Sequence, residues 1–366
     1  MGELLEHPHL RGLALKRVPI VLLGFGKVGQ AFASLLAERK GFTEEGVRLE
    51  LVGIFDRSGG LMGEGLSIPE IVAAKRAGTS VSALPGIFAG HRESTVLGGL
   101  SSLAEWPGAI LVDASPTDPK TGEPGLSAVR HALERGHSAV LASKGPLVHA
   151  FGDLVELAGR ETCRIGISAA VGTPLPSLET MHLSLRGAGL RGFRGIFNET
   201  SNRILIKMEA GMSYEAAVEN ARSAGILEPD PSLDLEGWDT AFKVLILARS
   251  FWGAEIPLDT VRVKGITEVT AEQLSRIQDA GRKLRLIGSA RPRNPGGDVE
   301  IGVAPEEIGP DDPFYPLAAG EKGAEFDSDL MGRFVIRSGK GGPLTTAAAL
   351  VKDILNIAHH PTPFAL

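Results

Sequence analysis

Between Glu228 and Lys243 the chain places Glu228, Asp230, Asp234, Glu236 and Asp239, then one cation, Lys243. Pro229 and Pro231 lack backbone N–H groups and hold the first half of this stretch out of regular structure. After Gly237 the apolar residues Trp238, Ala241, Phe242, Leu245, Ala248 and Trp252 recur at helical spacing, which predicts a buried helix. Asp239 and Lys243 stand at i and i+4 on it and point the same way. An exposed pair of this kind is worth only about 0.2–0.5 kcal/mol. Here Trp238, Phe242, Leu245 and Ile246 flank the pair. A lysine held beside carboxylates in a partly apolar cleft can transfer protons or polarise a carbonyl.

A second cluster lies at the other end of the chain. Val18-Pro-Ile-Val-Leu-Leu23 reads as a buried strand. Gly24-Phe25-Gly26-Lys27-Val28-Gly29 follows at once, and Gln30 to Arg39 reads as an apolar-faced helix. This is a G-x-G-x-x-G loop between strand and helix. Its glycines let the backbone turn tightly and approach a pyrophosphate at the helix N-terminus. A second strand, Leu49 to Phe55, ends in Asp56-Arg57. Asp56 suits the adenosine ribose hydroxyls of NAD, and Arg57 suits the 2′-phosphate of NADP, so both coenzymes stay open. The strand Ala109 to Asp113 leads to Ser115-Pro-Thr117, and the strand Ser138 to Ala142 leads to Ser143-Lys144. These are strand C-termini, where ligands bind in open α/β sheets.

The elements that position these groups alternate between strand and helix. Helices are expected at Ile68–Ala77, Leu126–Arg135, 148–159, 203–211, 213–224 and Leu344–Ala358. Further strands are expected at Leu190–Phe197, Val261–Val269, Val299–Val303 and Gly332–Arg337. Residues 57–108 are Gly/Ser-rich and receive no chemistry, and 286–298 read as a turn-rich loop.

The chain has 366 residues, 43% of them hydrophobic, enough for about two domains with ample core. A formal charge of −6, without a basic run, argues against a nucleic-acid partner. No apolar run approaches the ~20 residues that span a bilayer, and no signal peptide is evident. The single cysteine, Cys163, sits among apolar neighbours as core and fits a reducing cytoplasm. No histidine or cysteine spacing suggests zinc.

Several of these pieces carry a family resemblance. They are Gly24 to Gly29, Ser115-Pro-Thr117, Thr121-Gly-Glu-Pro-Gly125, Ala142-Ser-Lys-Gly-Pro-Leu147, Gly172-Thr-Pro-Leu-Pro176, Gly195-Ile-Phe-Asn198, Glu228-Pro-Asp-Pro231, Asp234 to Lys243 and Gly339 to Thr346. From about Val18 onward the chain resembles homoserine dehydrogenase in its short form. The resemblance implies catalytic roles for Lys144 and Lys243, with one or both moving a proton at the substrate oxygen. It implies substrate contacts from Glu228, Asp234, Asp239 and Thr200. It places Gly24, Phe25, Gly26, Lys27, Val28, Gly29, Asp56, Arg57, Ser115, Thr117, Lys144, Gly339 and Gly342 around NADP or NAD. It also implies a monovalent-cation site, for Na+, at Ser168, Val171, Thr173 and Leu175. The implied reaction is the NAD(P)-linked interconversion of L-homoserine and L-aspartate 4-semialdehyde by a homodimer. No regulatory domain is expected after residue 366.

Some positions depart from the family pattern. Glu199 stands for Gly, Arg203 for Tyr, Ile226 for Gly-Tyr, and Ser168 for a Glu at the cation site, while Lys340 enters a Gly/Ala-rich loop. Glu199 and Arg203, one helical turn apart, are expected either to serve the helix dipole or to pair and reshape the pocket mouth.

The expected architecture is α/β. A Rossmann-type dinucleotide-binding domain covers 1–165 and 335–366. An α+β catalytic and dimerisation domain with a mixed sheet covers 166–334. Two other readings remain open: a sister oxidoreductase for another small amino or hydroxy acid, and a catalytically silent NAD(P)-binding protein.

Overall fold

The computed structural model describes residues 15–84, 89–93, 100–227, 230–253, 256–294, 297–339 and 341–359. These form two compact units. One contains the described residues up to Ala170 and those from Gly342 onward; the other is Val171–Gly341.

The first unit is built on a seven-stranded sheet. Its strands are β1 (Lys16–Leu23), β2 (Val47–Asp56), β3 (Gly59–Glu64), β4 (Ala89–Glu93), β5 (Ile110–Asp113), β6 (Ser138–Leu141) and β7 (Ile165–Gly166). They lie in the order β4-β3-β2-β1-β5-β6-β7. The five strands from β2 to β7 run parallel, while β3 and β4 add an antiparallel edge. Ile20, Val21 and Leu22 are all fully buried, as the unbroken apolar run of β1 requires of a parallel strand covered on both faces. Helix α1 (Lys27–Glu38) buries Phe32, Ala33 and Leu36. Beside it packs the C-terminal helix Pro343–His359, through Ala347, Leu350, Val351 and Ile354.

Helix α2 (Ile68–Arg76) buries Ile71 and Val72. Helix α3 (Gly125–Leu133) packs on β5 and β6. The helix expected at 148–159 is two helices, α4 (Gly145–His149) and α5 (Phe151–Arg160), broken at Ala150 with φ −144°. Cys163 is buried, and burial, with Glu161 nearby, pushes its thiol pKa up.

The second unit holds a six-stranded mixed sheet. Its strands are β8 (Leu190–Ile196), β9 (Arg262–Val263), β10 (Lys283–Pro292), β11 (Val299–Ile308), β12 (Lys322–Ser328) and β13 (Gly332–Ser338). The order is β13-β12-β8-β10-β11-β9, antiparallel except for the β11–β9 pair. Its helices are α6 (Glu199–Glu209), α7 (Tyr214–Ser223), α8 (Ser232–Leu235), α9 (Trp238–Trp252) and α10 (Ala271–Asp279). Helix α9 packs on β10 and β11. A side chain at Gly288 would place its Cβ 2.6 Å from Val244 and 2.7 Å from Thr240, so the glycine lets β10 run close beneath the helix.

Three strand expectations change. Residues 286–292 belong to β10 rather than to a loop, and only the turn beyond them remains. The strand expected at Val261–Val269 ends at Val263, because Gly265 packs directly on the backbone of Leu235 and Glu236, and Ile266 N–H donates to Leu235 O at 2.8 Å. β13 groups 335–338 with the second unit, since it pairs with β12 from Lys322↔Ser338 to Ser328↔Gly332.

Sheet order reverses at β1, which has β2 on one side and β5 on the other. Ligands bind outside the carboxyl ends of strands at such a switch point. Asp113 ends β5 there and is fully buried. Its Oδ1 accepts from Ser115 N–H at 3.0 Å, and its Oδ2 accepts from Ser143 Oγ. The carboxylate thus ties the loop after β5 to the loop after β6. Burial pushes its pKa up, against the bonds from Ser115 and Ser143.

Below the unfolded value of about 3.9 both states are protonated and this cost is absent. It appears as pH rises through the raised folded value. Asn can keep both hydrogen bonds without the charge. Asp113→Asn is therefore expected to raise Tm relative to the parent by an amount that grows with pH. Thermal melts from about pH 4 upward check this; a difference that shrinks with pH would contradict it.

Candidate active site

In the first unit the glycine loop takes the form that its spacing predicts. Gly24 has φ +93°, and a Cβ there would collide with the backbone of Ala114 and Ser115. Only glycine lets the loops after β1 and β5 touch. They are joined by Ala114 N–H to Leu23 O at 2.7 Å, and Gly24 N–H reaches Phe55 O at 2.8 Å. A Cβ on Gly29 would overlap the Gly24 carbonyl, so the third glycine seats α1 on the loop. Gly26 is exposed, with nothing within 4 Å of its Cβ direction, and Lys27 is exposed beside it at the start of α1. This is an open helix N-terminus, the geometry that receives a phosphate. Phe25 is buried and Val28 packs on the core, so these two can serve a ligand through backbone only.

Asp56 ends β2 with its carboxylate already engaged. Oδ1 accepts from Ser58 N–H at 2.8 Å and from Ser58 Oγ at 2.5 Å, and Oδ2 pairs with Lys75 Nζ at 2.5 Å. Burial pushes this carboxyl up, but the bonds from Lys75 and Ser58 outweigh it and hold the pKa low. Arg57 is exposed. Lys75, on α2, is a residue that sequence reasoning missed. Nothing near Asp56 in the sequence points to it.

Ser115 is buried and Thr117 half-buried. Thr117 Oγ1 accepts the Lys144 N–H at 3.1 Å. Lys144, half-buried, opens α4 directly after β6. The structure thus brings Gly24–Gly29, Ser115, Thr117 and Lys144 to the carboxyl ends of β1, β5 and β6.

The acidic cluster lies in the second unit. Asn198 caps α6 by accepting Ser201 N–H at 3.0 Å. Its amide nitrogen donates to Asp234 Oδ1 at 2.6 Å and to Asp239 Oδ2 at 2.7 Å. Lys243 Nζ pairs with the same Asp239 oxygen and donates to Phe197 O at 2.9 Å. The Lys243 and Asp239 side chains are only 12% and 15% exposed, so this is not a solvated surface pair. Ser201 Oγ donates to Asp234 O at 2.6 Å. Asn202 crosslinks β10 through both the N–H and the carbonyl of Leu286. Thr200 is buried in the first turn of α6. Asn198 was not among the expected site residues, although an Asn at a strand-to-helix junction is an N-cap signal. Glu228 lies outside the described residues.

Glu199 does not pair with Arg203. Its Oε2 accepts Gly341 N–H at 3.2 Å, and Arg203 Nε is buried without a hydrogen-bond partner among the described residues. The i,i+4 spacing permits an ion pair, but a distant loop claims the carboxylate. Gly339 follows β13 and Gly342, at φ +148°, precedes the C-terminal helix. Lys340 lies outside the described residues.

Two of the residues expected around a monovalent cation have other partners. Ser168 N–H and Oγ both donate to the buried Asp353, at 2.8 and 2.7 Å. Val171, Thr173 and Leu175 are buried, but the Thr173 carbonyl accepts Lys322 Nζ at 2.5 Å. An ammonium already faces that oxygen.

A family model described as homoserine dehydrogenase matches residues 176–355. The NAD(+)-dependent homoserine dehydrogenase of Pseudomonas canavaninivorans is 32% identical over 94% of this chain and 97% of its own length. The homoserine dehydrogenase of Methanocaldococcus jannaschii is 30% identical over 92% and 98%. Among solved structures, a hyperthermophilic archaeal homoserine dehydrogenase in complex with NADPH superposes with a TM-score of 0.77 at 27% identity, covering 93% of this chain and 98% of that one. The homoserine dehydrogenase of Thermoplasma acidophilum gives 0.75 at 26% identity, covering 94% and 99%.

Proposed function

The chain belongs to the homoserine dehydrogenase family of NAD(P)-dependent oxidoreductases, and we propose that it interconverts L-homoserine and L-aspartate 4-semialdehyde. The observation that carries this reading is the Lys243 ammonium, held between the Phe197 carbonyl and Asp239, which also accepts from the Asn198 amide. The semialdehyde bears an ammonium, a carboxylate and an aldehyde. Asp234 and Asp239 present negative charge to the ammonium. Lys243, fixed on a buried helix, presents a positive donor to the aldehyde oxygen, which must gain a proton as it becomes an alcohol. When bound, the nicotinamide supplies or accepts the hydride. The open N-terminus of α1 receives the pyrophosphate, and Lys144 stands at the crevice as a second proton-handling or positioning group.

The coenzyme reading favours dual use. Asp56 disfavours a 2′-phosphate, but Lys75 neutralises it and Arg57 adds a cation. A homodimer is supported by β13, the edge of the six-stranded sheet. Edge strands offer unpaired backbone groups; Val335 (43% exposed) and Phe334 (37%) lie bare on it, and Leu330 (77%) and Met331 (54%) lie bare in the turn that leads into it. The one thiol, Cys163, fits a reducing cytoplasmic setting. No described helix is long and apolar enough to cross a membrane.

Lys243→Ala is expected to lower kcat by about 10²–10⁴, the range for a positioned proton donor, while NADH or NADPH binding by fluorescence persists. Near-normal turnover would remove Lys243 from the chemistry. Asp56→Ser should raise the NADP-to-NAD ratio of kcat/KM about tenfold, equivalent to ~1.4 kcal/mol. An unchanged ratio would place Asp56 away from the ribose. Val335→Lys should halve the mass found by light scattering for the parent dimer; a dimer unaffected by it would move the interface off β13.

A further inference from the structure

Lys322 begins β12 opposite Ser338 of β13 and is only 7% exposed. Most lysines keep their charged end in water, but this one points inward to the Thr173 carbonyl. A carboxylate comes to the same place. A Cβ built on Gly341 would lie 2.9 Å from Glu199 Oε2, 3.1 Å from Lys322 Nζ and 3.4 Å from Thr173 O. The first turn of α6, the start of β12 and the 171–175 turn therefore meet around one glycine, whose own N–H donates to Glu199. Burying a lone ammonium is costly. Here a carbonyl faces it, and the Glu199 carboxylate on the same glycine lies nearby without forming an ion pair with it.

An ammonium and an alkali-metal ion ask the same of a backbone: carbonyl dipoles turned inward and a negative charge nearby. The two exclude each other at one oxygen. Two unit positive charges at one carbonyl repel strongly in a site shielded from water. We propose that Lys322 is a tethered monovalent cation: its ammonium takes the place of an alkali-metal ion at the Thr173 carbonyl, Glu199 lies nearby, and the Val171–Leu175 turn holds its shape without Na+ or K+. Ser168, where the family pattern has a glutamate, instead donates to Asp353.

Thermal unfolding tests this without any substrate, so its outcome is separate from that of the homoserine reading. The full chain is melted at one ionic strength in NaCl, KCl or choline chloride. The parent protein should give the same Tm in all three. Lys322→Ala, which opens room for an ion, should lose stability in choline chloride and regain about 2–4 °C, saturably, in NaCl or KCl. Lys322→Met fills that room with an apolar stem and should regain nothing. A saturable Na+ or K+ stabilisation of the parent protein would overturn the proposal. So would equal behaviour of Lys322→Ala in all three salts. If neither variant folds, the parent series alone decides, because it requires no substitution.

Discussion

Two carboxylates held side by side repel, and the second unit is arranged around keeping Asp234 and Asp239 together. The Asn198 amide does so by giving one hydrogen to each. It can act this way only because its own oxygen is occupied by the first turn of α6, which fixes the orientation of the group. Lys243 then adds the positive charge and anchors itself to the carbonyl next to Asn198. Strand β8, the cap of α6 and the first turns of α9 are therefore coupled through a few hydrogen bonds of low exposure. Such networks are strong when complete and costly when any member is removed. The wider packing serves the same end: Gly288 admits α9 close to β10, and Asn202 clips α6 to β10.

The first unit solves a different problem, which is to leave a helix N-terminus open beside strands that are covered on both faces. The covering helices bury β1 from Val18 to Leu23, yet the loop after it contains an exposed Gly26. Asp113 is the internal tie that lets neighbouring loops meet at this point. Its burial without a cation partner among its described contacts explains why its proton is held more tightly than usual.

How much of this could be read from the sequence depended on how local each cause is. The parallel strands were visible as unbroken apolar runs, α9 as a periodic stripe, and the glycine loop by its spacing. Strands β3 and β12 were not. Gly-Gly-Leu-Met-Gly-Glu and Lys-Gly-Ala-Glu-Phe-Asp-Ser carry little strand propensity and are held by the neighbours they pair with. β10 was hidden because its last residues, Arg291 and Pro292, open an Arg-Pro-Arg-Asn sequence that reads as a turn. In the sites, Asp239 and Lys243 were legible because one helix carries both. The contacts of Asp56 with Lys75 and of Glu199 with Gly341 were not, because each joins elements that only the fold brings together. The i,i+4 spacing allowed Glu199 a pair with Arg203 that the fold does not form, for this reason.

Cys163 has a practical consequence. The chain has one thiol, and in the native state it is buried and kept protonated by its surroundings. A protonated, inaccessible thiol reacts with neither alkylating reagents nor mild oxidants. Modification must then wait for the segment between α5 and β7 to open. The pace at which a maleimide labels the molecule becomes a single-site clock for local opening next to the nucleotide-binding sheet, with no background from other sulfhydryls.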